Sequence, residues 1–170
     1  MADDDYRFLE VEQRGAILTA AVFNPPINLI TLELLGEFER LINKLAESSD
    51  ILVFVLRSAN ADFFLSHFDV NAILARPISA ESAHDQAPGL RPSHALSVKF
   101  SQLNLITIAE IQGRVGGGGA EFAMAFDMRF GAEGSTQLNQ MEVPIGIIPG
   151  GTGTQRLPRL IGKARAMEII

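Results

Sequence analysis

The 170-residue chain contains no cysteine. That excludes a disulfide framework, a thiolate nucleophile and a cysteine-ligated metal. Charge is sparse and leans acidic, with 14 Lys and Arg against 20 Asp and Glu, a net charge of −6. A nucleic-acid binder shows a basic stripe, so no nucleic-acid partner is expected. No uninterrupted apolar run approaches the roughly 18 residues of a transmembrane helix, so no membrane partner is expected either. The start, Met1-Ala2-Asp3-Asp4-Asp5, is acidic, whereas a secretory signal begins basic and continues apolar; the expected location is the cytoplasm.

Several catalytic signatures are also missing. Glu121 or Phe122 occupies the last glycine position of G-x-G-x-x-G when the pattern starts at Gly116 or Gly117, and Arg156 does so from Gly151. The P-loop pattern fails because Ala164 follows Gly162-Lys163 and Leu157 replaces its first glycine. There is no G-x-S-x-G elbow and no H-E-x-x-H zinc motif, and no metal site is expected.

What remains is ample core material, 47% hydrophobic with only 20% charged residues, the reverse of a disordered composition. The length suits one domain over residues 1–170. Residues 6–12 and 15–23 read as a β-hairpin turning at Gln13-Arg14-Gly15, and Asn24-Pro25-Pro26 ends the second strand. Residues 31–47 read as a helix capped by Thr31, with Leu34, Leu35, Phe38, Leu41, Ile42 and Leu45 on one face. The six apolar residues 51–56 suit a strand covered on both faces. Residues 76–93 hold Pro77, Pro88 and Pro92 without any period and read as a mobile surface loop, after which Ser93 caps a helix to about Leu103. Residues 106–111 and 128–130 read as strands, residues 120–126 as a helix buried on most sides, and the chain from Gly153 as helical. Strand–helix alternation of this kind points to α/β with crossover connections.

Glycine is the uneven residue. Eleven of the 15 glycines lie between Gly113 and Gly153. Four consecutive glycines before a helix admit two readings. They present backbone N–H donors to an oxyanion, or they let a helix pack closely against a strand. The residues alone leave both open. Glu121 either complements the start of the helix or is a functional acid, and Glu142 is either a surface carboxylate or its partner. Met124 and Met128 read as core, His84 and His94 as solvated, Arg114 as a site neighbour or an exposed ion pair, and the C-terminal basic residues as solvated helix faces.

Three segments carry a resemblance. QGRVGGGGAEFAMA (residues 112–125) resembles the G-x-x-x-G-G-G-x-E-[LF] block of the enoyl-CoA hydratase/isomerase (crotonase) superfamily. QMEVPIGIIPGGTGTQRL (140–157) resembles its Q-x-E…G-x-x-P-G-x-G-G-T-Q-R-L block, and FLSHFDV (64–70) resembles its F-x-A-G-A-D-[LI] segment. The resemblance implies an α/β fold, a β-β-α spiral of stacked turns, here without the C-terminal helical segment that family members carry. It implies an acyl-CoA thioester as substrate, with coenzyme A entering only as part of it and no separate cofactor. It implies a homo-oligomer, trimer or hexamer.

By position the family's two oxyanion N–H groups fall on Phe68 and Gly117, and its two catalytic acids on Glu121 and Glu142. Two carboxylates suit water addition, because water loses a proton while carbon gains one. Leu65, Ser66, His67, Asp69, Val70, Gly116 and Gly118 fall on substrate-binding positions, although Asp69 also reads as the cap of a short helix. His67 replaces the family's glycine and Phe68 its alanine, which puts bulk beside the oxyanion site. The implied activity is hydration of a 2-enoyl-CoA. The alternatives are isomerisation, decarboxylation or thioester hydrolysis on the same fold, or a shortened non-catalytic homologue acting in assembly.

Overall fold

The computed structural model describes residues 5–75 and 92–170. Strands β1 (Leu9–Arg14) and β2 (Ile17–Val22) pair antiparallel, from Leu9 opposite Val22 to Arg14 opposite Ile17. The hairpin turn is therefore Gly15-Ala16, shifted from the expected position, because Gly15 supplies the positive φ of +59° that a two-residue turn requires. Helix α1 (Leu32–Glu47) begins where expected, with the Thr31 hydroxyl accepting from Leu34 N–H at 3.2 Å.

Three turns follow in one pattern. β3 (Val53–Ser58), β4 (Phe63–Leu65), α2 (Val70–Leu74) and α3 (Pro92–Ser101) make the first. β5 (Ile106–Ile111), β6 (Arg114–Gly116) and α4 (Gly118–Ala123) make the second. β7 (Met128–Gly131), β8 (Gln137–Asn139) and a 3-10 turn (Val143–Ile145) make the third. The first strand of each turn joins the large sheet, ordered β1-β2-β3-β5-β7, and the second joins a small parallel sheet, β4-β6-β8. This is the β-β-α spiral. The three-residue strands of the small sheet are too short to carry a period and were not expected. Helices α5 (Gly153–Ile161) and α6 (Lys163–Ile169) end the chain, broken by Gly162 at φ +82°.

The core lies between the large sheet and the helices. Leu34, Phe38, Leu41, Ile42 and Leu45 of α1 meet Leu18, Phe54 and Leu56 of the sheet. Phe38, Phe54, Phe100, Phe122 and Phe126 form a continuous ring cluster, with centroids 4.4–6.3 Å apart. That cluster fixes α4 from below, since Phe122 points into it.

The outer sheet face departs from expectation. The 51–56 run is buried only through Ile51, Phe54 and Leu56, while Val53 and Val55 are half-buried. Register places them beside Ile17, Ile106, Ile108, Met128 and Phe130, four of which are about half exposed. Met128 is therefore a surface residue rather than core; Met124 is buried. Of the expected loop over residues 76–93, residues 76–91, with His84, lie outside the described residues, as does the Ser93 side chain; residues 92 and 93 instead open α3. Among the described residues no helix is long and apolar enough to cross a membrane.

Candidate active site

The loop after β4 is stitched to residue 30. His67 C=O accepts from Ile30 N–H (3.1 Å), and Asp69 N–H donates to Ile30 C=O (2.9 Å). Because the residues on either side bond to Ile30, the N–H and C=O of Phe68 turn to the other side. There its C=O meets His67 Nδ1 at 2.9 Å. Asn28, fully buried at φ +52°, holds this arrangement from behind. Its amide donates to Ser58 Oγ (2.8 Å) and to Phe63 and Phe64 C=O (3.2 and 3.1 Å), and its oxygen accepts from Asn24 N–H (2.8 Å).

The glycine run faces that loop, and its residues play different parts. A Cβ on Gly119 would overlap the carbonyl groups of Leu65 and Ser66, so Gly119 serves close packing. A Cβ on Gly118 would stand 3.3 Å from Phe68 N, so here the two backbones converge. Gly117 takes φ +47° and ψ −126°, open only to glycine. Its N–H, expected as an oxyanion donor, instead donates to Asn139 C=O at 3.1 Å, continuing the β6–β8 ladder. The Gly117 N–H is thus engaged within the small sheet. Gly118 is the first residue of α4, where an N–H has no intrahelical acceptor, and no described group takes it.

Glu121, one turn into α4, is 3% exposed. Its carboxylate accepts from Gly151 N–H (2.8 Å to each oxygen) and Gly153 N–H (2.7 Å). A Cβ on Gly151 would collide with this carboxylate, and one on Gly153 would stand 2.8 Å from Oε1, so the second glycine block lets backbone donors reach the acid. Thr152 between them takes φ +94°, a strained conformation of the kind found at functional sites. Burial pushes the Glu121 carboxyl up to about 7, assisted by the charge of Glu142 and opposed by the N–H bonds of Gly153 and Gly151.

Glu142 precedes the 3-10 turn. It is 7% exposed, its Oε2 has no hydrogen-bond partner, and its Oε1 would lie 3.0 Å from a Cβ on Gly117. Burial raises its pKa, against the pull of backbone N–H groups and of His67. Gln140 was not singled out in the sequence. It is 4% exposed with both amide atoms unpartnered, and its Oε1 lies beside Gly153, as Glu121 does. Buried polar groups are nearly always paired. These orphaned atoms beside Glu121 mark a polar site able to hold a water or a substrate oxygen.

The structure thus brings together His67, Phe68, Gly117, Gly118, Glu121 and Glu142. It does not bring in every expected substrate residue. The Leu65 side chain is fully buried in the core and Ser66 is nearly so. Gly116 abuts the Asn139 side chain. Asp69 caps α2, accepting from Asn71 N–H at 2.9 Å, and Val70 is exposed in its first turn. Arg114 has no ion-pair partner among the described residues; its guanidinium lies 5.5 Å from the Phe63 ring centre. His94 is not simply solvated, since Nε2 contacts Gly150 C=O. Arg156 is not a solvated-face residue either. It reaches Thr152 Oγ1 (3.1 Å), Ser97 C=O (3.4 Å) and Ser101 Oγ (3.3 Å), tying α5 to α3.

Comparison with known proteins agrees with this fold. The enoyl-CoA hydratase/isomerase family model matches residues 12–170. The chain is 35% identical over 156 residues to the fatty acid oxidation complex subunit alpha of Shewanella amazonensis, covering 91% of this chain and 22% of that protein. Among solved structures, a Streptomyces avermitilis protein provisionally described as an enoyl-CoA hydratase superposes with TM-score 0.87 at 33% identity, covering 98% of this chain and 61% of that one. The enoyl-CoA hydratase of Bacillus anthracis superposes with TM-score 0.83 at 29% identity, covering 96% and 62%. The chain therefore spans about a fifth of the curated relative and about three-fifths of the solved ones.

Proposed function

The chain belongs to the enoyl-CoA hydratase/isomerase family, and from that premise we propose that it adds water to a 2-enoyl-CoA thioester, giving the 3-hydroxyacyl-CoA. The observation that carries this reading is the buried pair of Glu121 and Glu142 with unpartnered Glu142 Oε2 and Gln140 amide atoms beside it. The charge of Glu142 raises the Glu121 pKa, so the pair retains one proton more readily than two isolated acids would. In the reaction, water oxygen bonds to the β-carbon and gives its proton to the ionised carboxylate. The protonated partner delivers its proton to the α-carbon. The pair ends with the proton count it began with.

The thioester oxygen gains negative charge as the enolate forms. Backbone donors at Phe68 and Gly118 are the pair that this reading assigns to it, supported by the close approach of Gly118 to Phe68 N. Such donors contribute about 3–4 kcal/mol each to acyl-transfer transition states. The segment after Glu142 leaves Val143, Ile145, Ile147 and Ile148 exposed, an apolar surface suited to an acyl chain. Coenzyme A enters only as part of the substrate, with no separate cofactor. A trimer or hexamer in the cytoplasm belongs to the same reading, and the half-exposed apolar sheet face around Ile106 and Phe130 favours an assembly. The test is the loss of enoyl-thioester absorbance on adding protein to a 2-enoyl-CoA. Turnover abolished in both Glu121→Gln and Glu142→Gln supports the proposal. A folded protein that binds the thioester and leaves its absorbance unchanged defeats it.

A further inference from the structure

The Gly150–Gly151 peptide meets a side chain at each end. Its N–H, on Gly151, donates to both oxygens of Glu121 at 2.8 Å. Its C=O, on Gly150, meets Nε2 of His94, a residue of the first turn of α3. A carbonyl only accepts, so Nε2 carries the hydrogen, in the neutral Nε2–H tautomer and in the charged ring alike. The contact therefore needs a donor and no particular charge on the histidine. Helix α3 grips the same segment a second time. Arg156 donates through Nε to Thr152 Oγ1 (3.1 Å), and through Nη2 to Ser97 C=O (3.4 Å) and Ser101 Oγ (3.3 Å). Thr152 stands between the two residues whose N–H groups hold Glu121, at φ +94°, a conformation that persists only where its surroundings enforce it.

We propose that His94 is a positioning residue for Glu121: its ring N–H fixes the carbonyl end of the Gly150–Gly151 peptide, and so aims the N–H at the other end of that peptide at the carboxylate. The inference rests on the hydration reading above, which makes Glu121 a reacting acid, and deepens it. A peptide unit is planar, so holding its oxygen sets the direction of its hydrogen. A hydrogen bond received by the oxygen also polarises the unit and strengthens its N–H as a donor. Gly150 and Gly151 have no Cβ to restrict rotation of the peptide between them, so a hold from outside the loop selects its orientation. Glu142 is the charged group acting on Glu121, and it raises the pKa of that carboxyl, as burial does; the Gly153 and Gly151 N–H bonds oppose both. His94 supports one of those two opposing bonds, and so bears on the protonation state that Glu121 keeps.

The test separates the donor from the ring. His94→Phe keeps an aromatic ring and removes the N–H; His94→Gln removes the ring and keeps an N–H at similar reach. Glu121 is followed, without substrate, by NMR titration of glutamate carboxyl carbons, its signal assigned by its loss in Glu121→Gln. In His94→Phe the midpoint is expected to rise by about half to one pH unit, the worth of one weakened hydrogen bond to the charged form. Hydration kcat is expected to fall by the matching factor of about three to ten, with KM unchanged. His94→Gln is expected to return both to wild-type values. Should His94→Phe fail to fold, His94→Leu removes the same donor with a smaller side chain. A Glu121 midpoint equal to wild type in the variant without the donor overturns the inference. An equal rise in His94→Gln overturns it too, because the ring and not its N–H would then be at work. A raised midpoint that glutamine restores, in a protein that hydrates no enoyl-CoA, upholds the inference and defeats the hydration reading instead.

Discussion

Replacing Glu121 with glutamine removes one charge and almost no volume, and the structure specifies what should follow. Oε1 already accepts both Gly151 and Gly153 N–H groups, so the glutamine oxygen can keep both bonds. What disappears is a titration. The folded-state carboxyl sits at about 7 against an ordinary 4.5, chiefly because burial disfavours its charge. The folded protein therefore binds more protons than the unfolded chain between those values, and stability must fall as pH rises through that window. At about 1.36 kcal/mol per pH unit, the gap corresponds to roughly 3 kcal/mol, present below pH 4.5 and lost by pH 7 and above. Urea unfolding of wild type and Glu121→Gln at pH 5 and pH 8 should show the variant gaining on the wild type at the higher pH by an amount of that order. Hydration should fall by about 10²–10⁴ at both pH values, the range for a lost general acid or base. Parallel stability profiles for the two proteins would refute the claim that Glu121 is held in a charge-disfavouring site.

Gly151→Ala should act on the same acid from outside. The added Cβ meets the Glu121 carboxylate, so displacement of that group should cost about 1–3 kcal/mol by overpacking and reduce turnover, both measured against wild type in the same two assays. Asn28→Ala leaves Phe64 C=O and Asn24 N–H without their side-chain partner and should destabilise by about 2–4 kcal/mol, read by thermal unfolding. Phe100→Ala opens the middle of the aromatic cluster and should cost about 3–5 kcal/mol. That loss should appear in unfolding midpoints, while the ionisation of Glu121 on the opposite side of α4 is retained.

What could be read from residues alone depended on element length. The α1 stripe spans sixteen residues and its period is unambiguous, so its bounds and Thr31 cap agree with the structure. The hairpin was legible, but its turn slid, because Gln13 and Arg14 are as polar as turn residues and yet pair with Leu18 and Ile17. The strands Phe63–Leu65, Arg114–Gly116 and Gln137–Asn139 were illegible, since three residues cannot show alternation. The proposed oxyanion donor differs by one residue from the expected one for a related reason. Within four identical residues no composition distinguishes Gly117 from Gly118; the distinction comes from register, which pairs Gly116 with Asn139 and so commits the next N–H to the ladder. Gln140 and Asn28 carried faint signals. An Asn two residues after Pro-Pro is a residue able to hold positive φ, and a Gln two positions before a candidate acid is a plausible hydrogen-bonding neighbour.

The distribution of glycine then has a physical cause that the initial readings contained only in part. Each glycine block serves one carboxylate. Gly151 and Gly153 clear the space through which backbone N–H groups reach Glu121. Gly117 clears the space between Glu142 and His67. Gly119 lets α4 settle on the Leu65–Ser66 backbone, which fixes the distance between the two halves. The acids are consequently made unequal by their surroundings: one is held by three short contacts from N–H groups, the other has an oxygen with no partner. A pair intended only to stabilise the fold would have both sets of oxygens satisfied, because leaving a buried acceptor unmade costs about 1–3 kcal/mol. The unsatisfied oxygen is therefore the part of the site that packing does not explain, and it is the part that the proposed hydration would use.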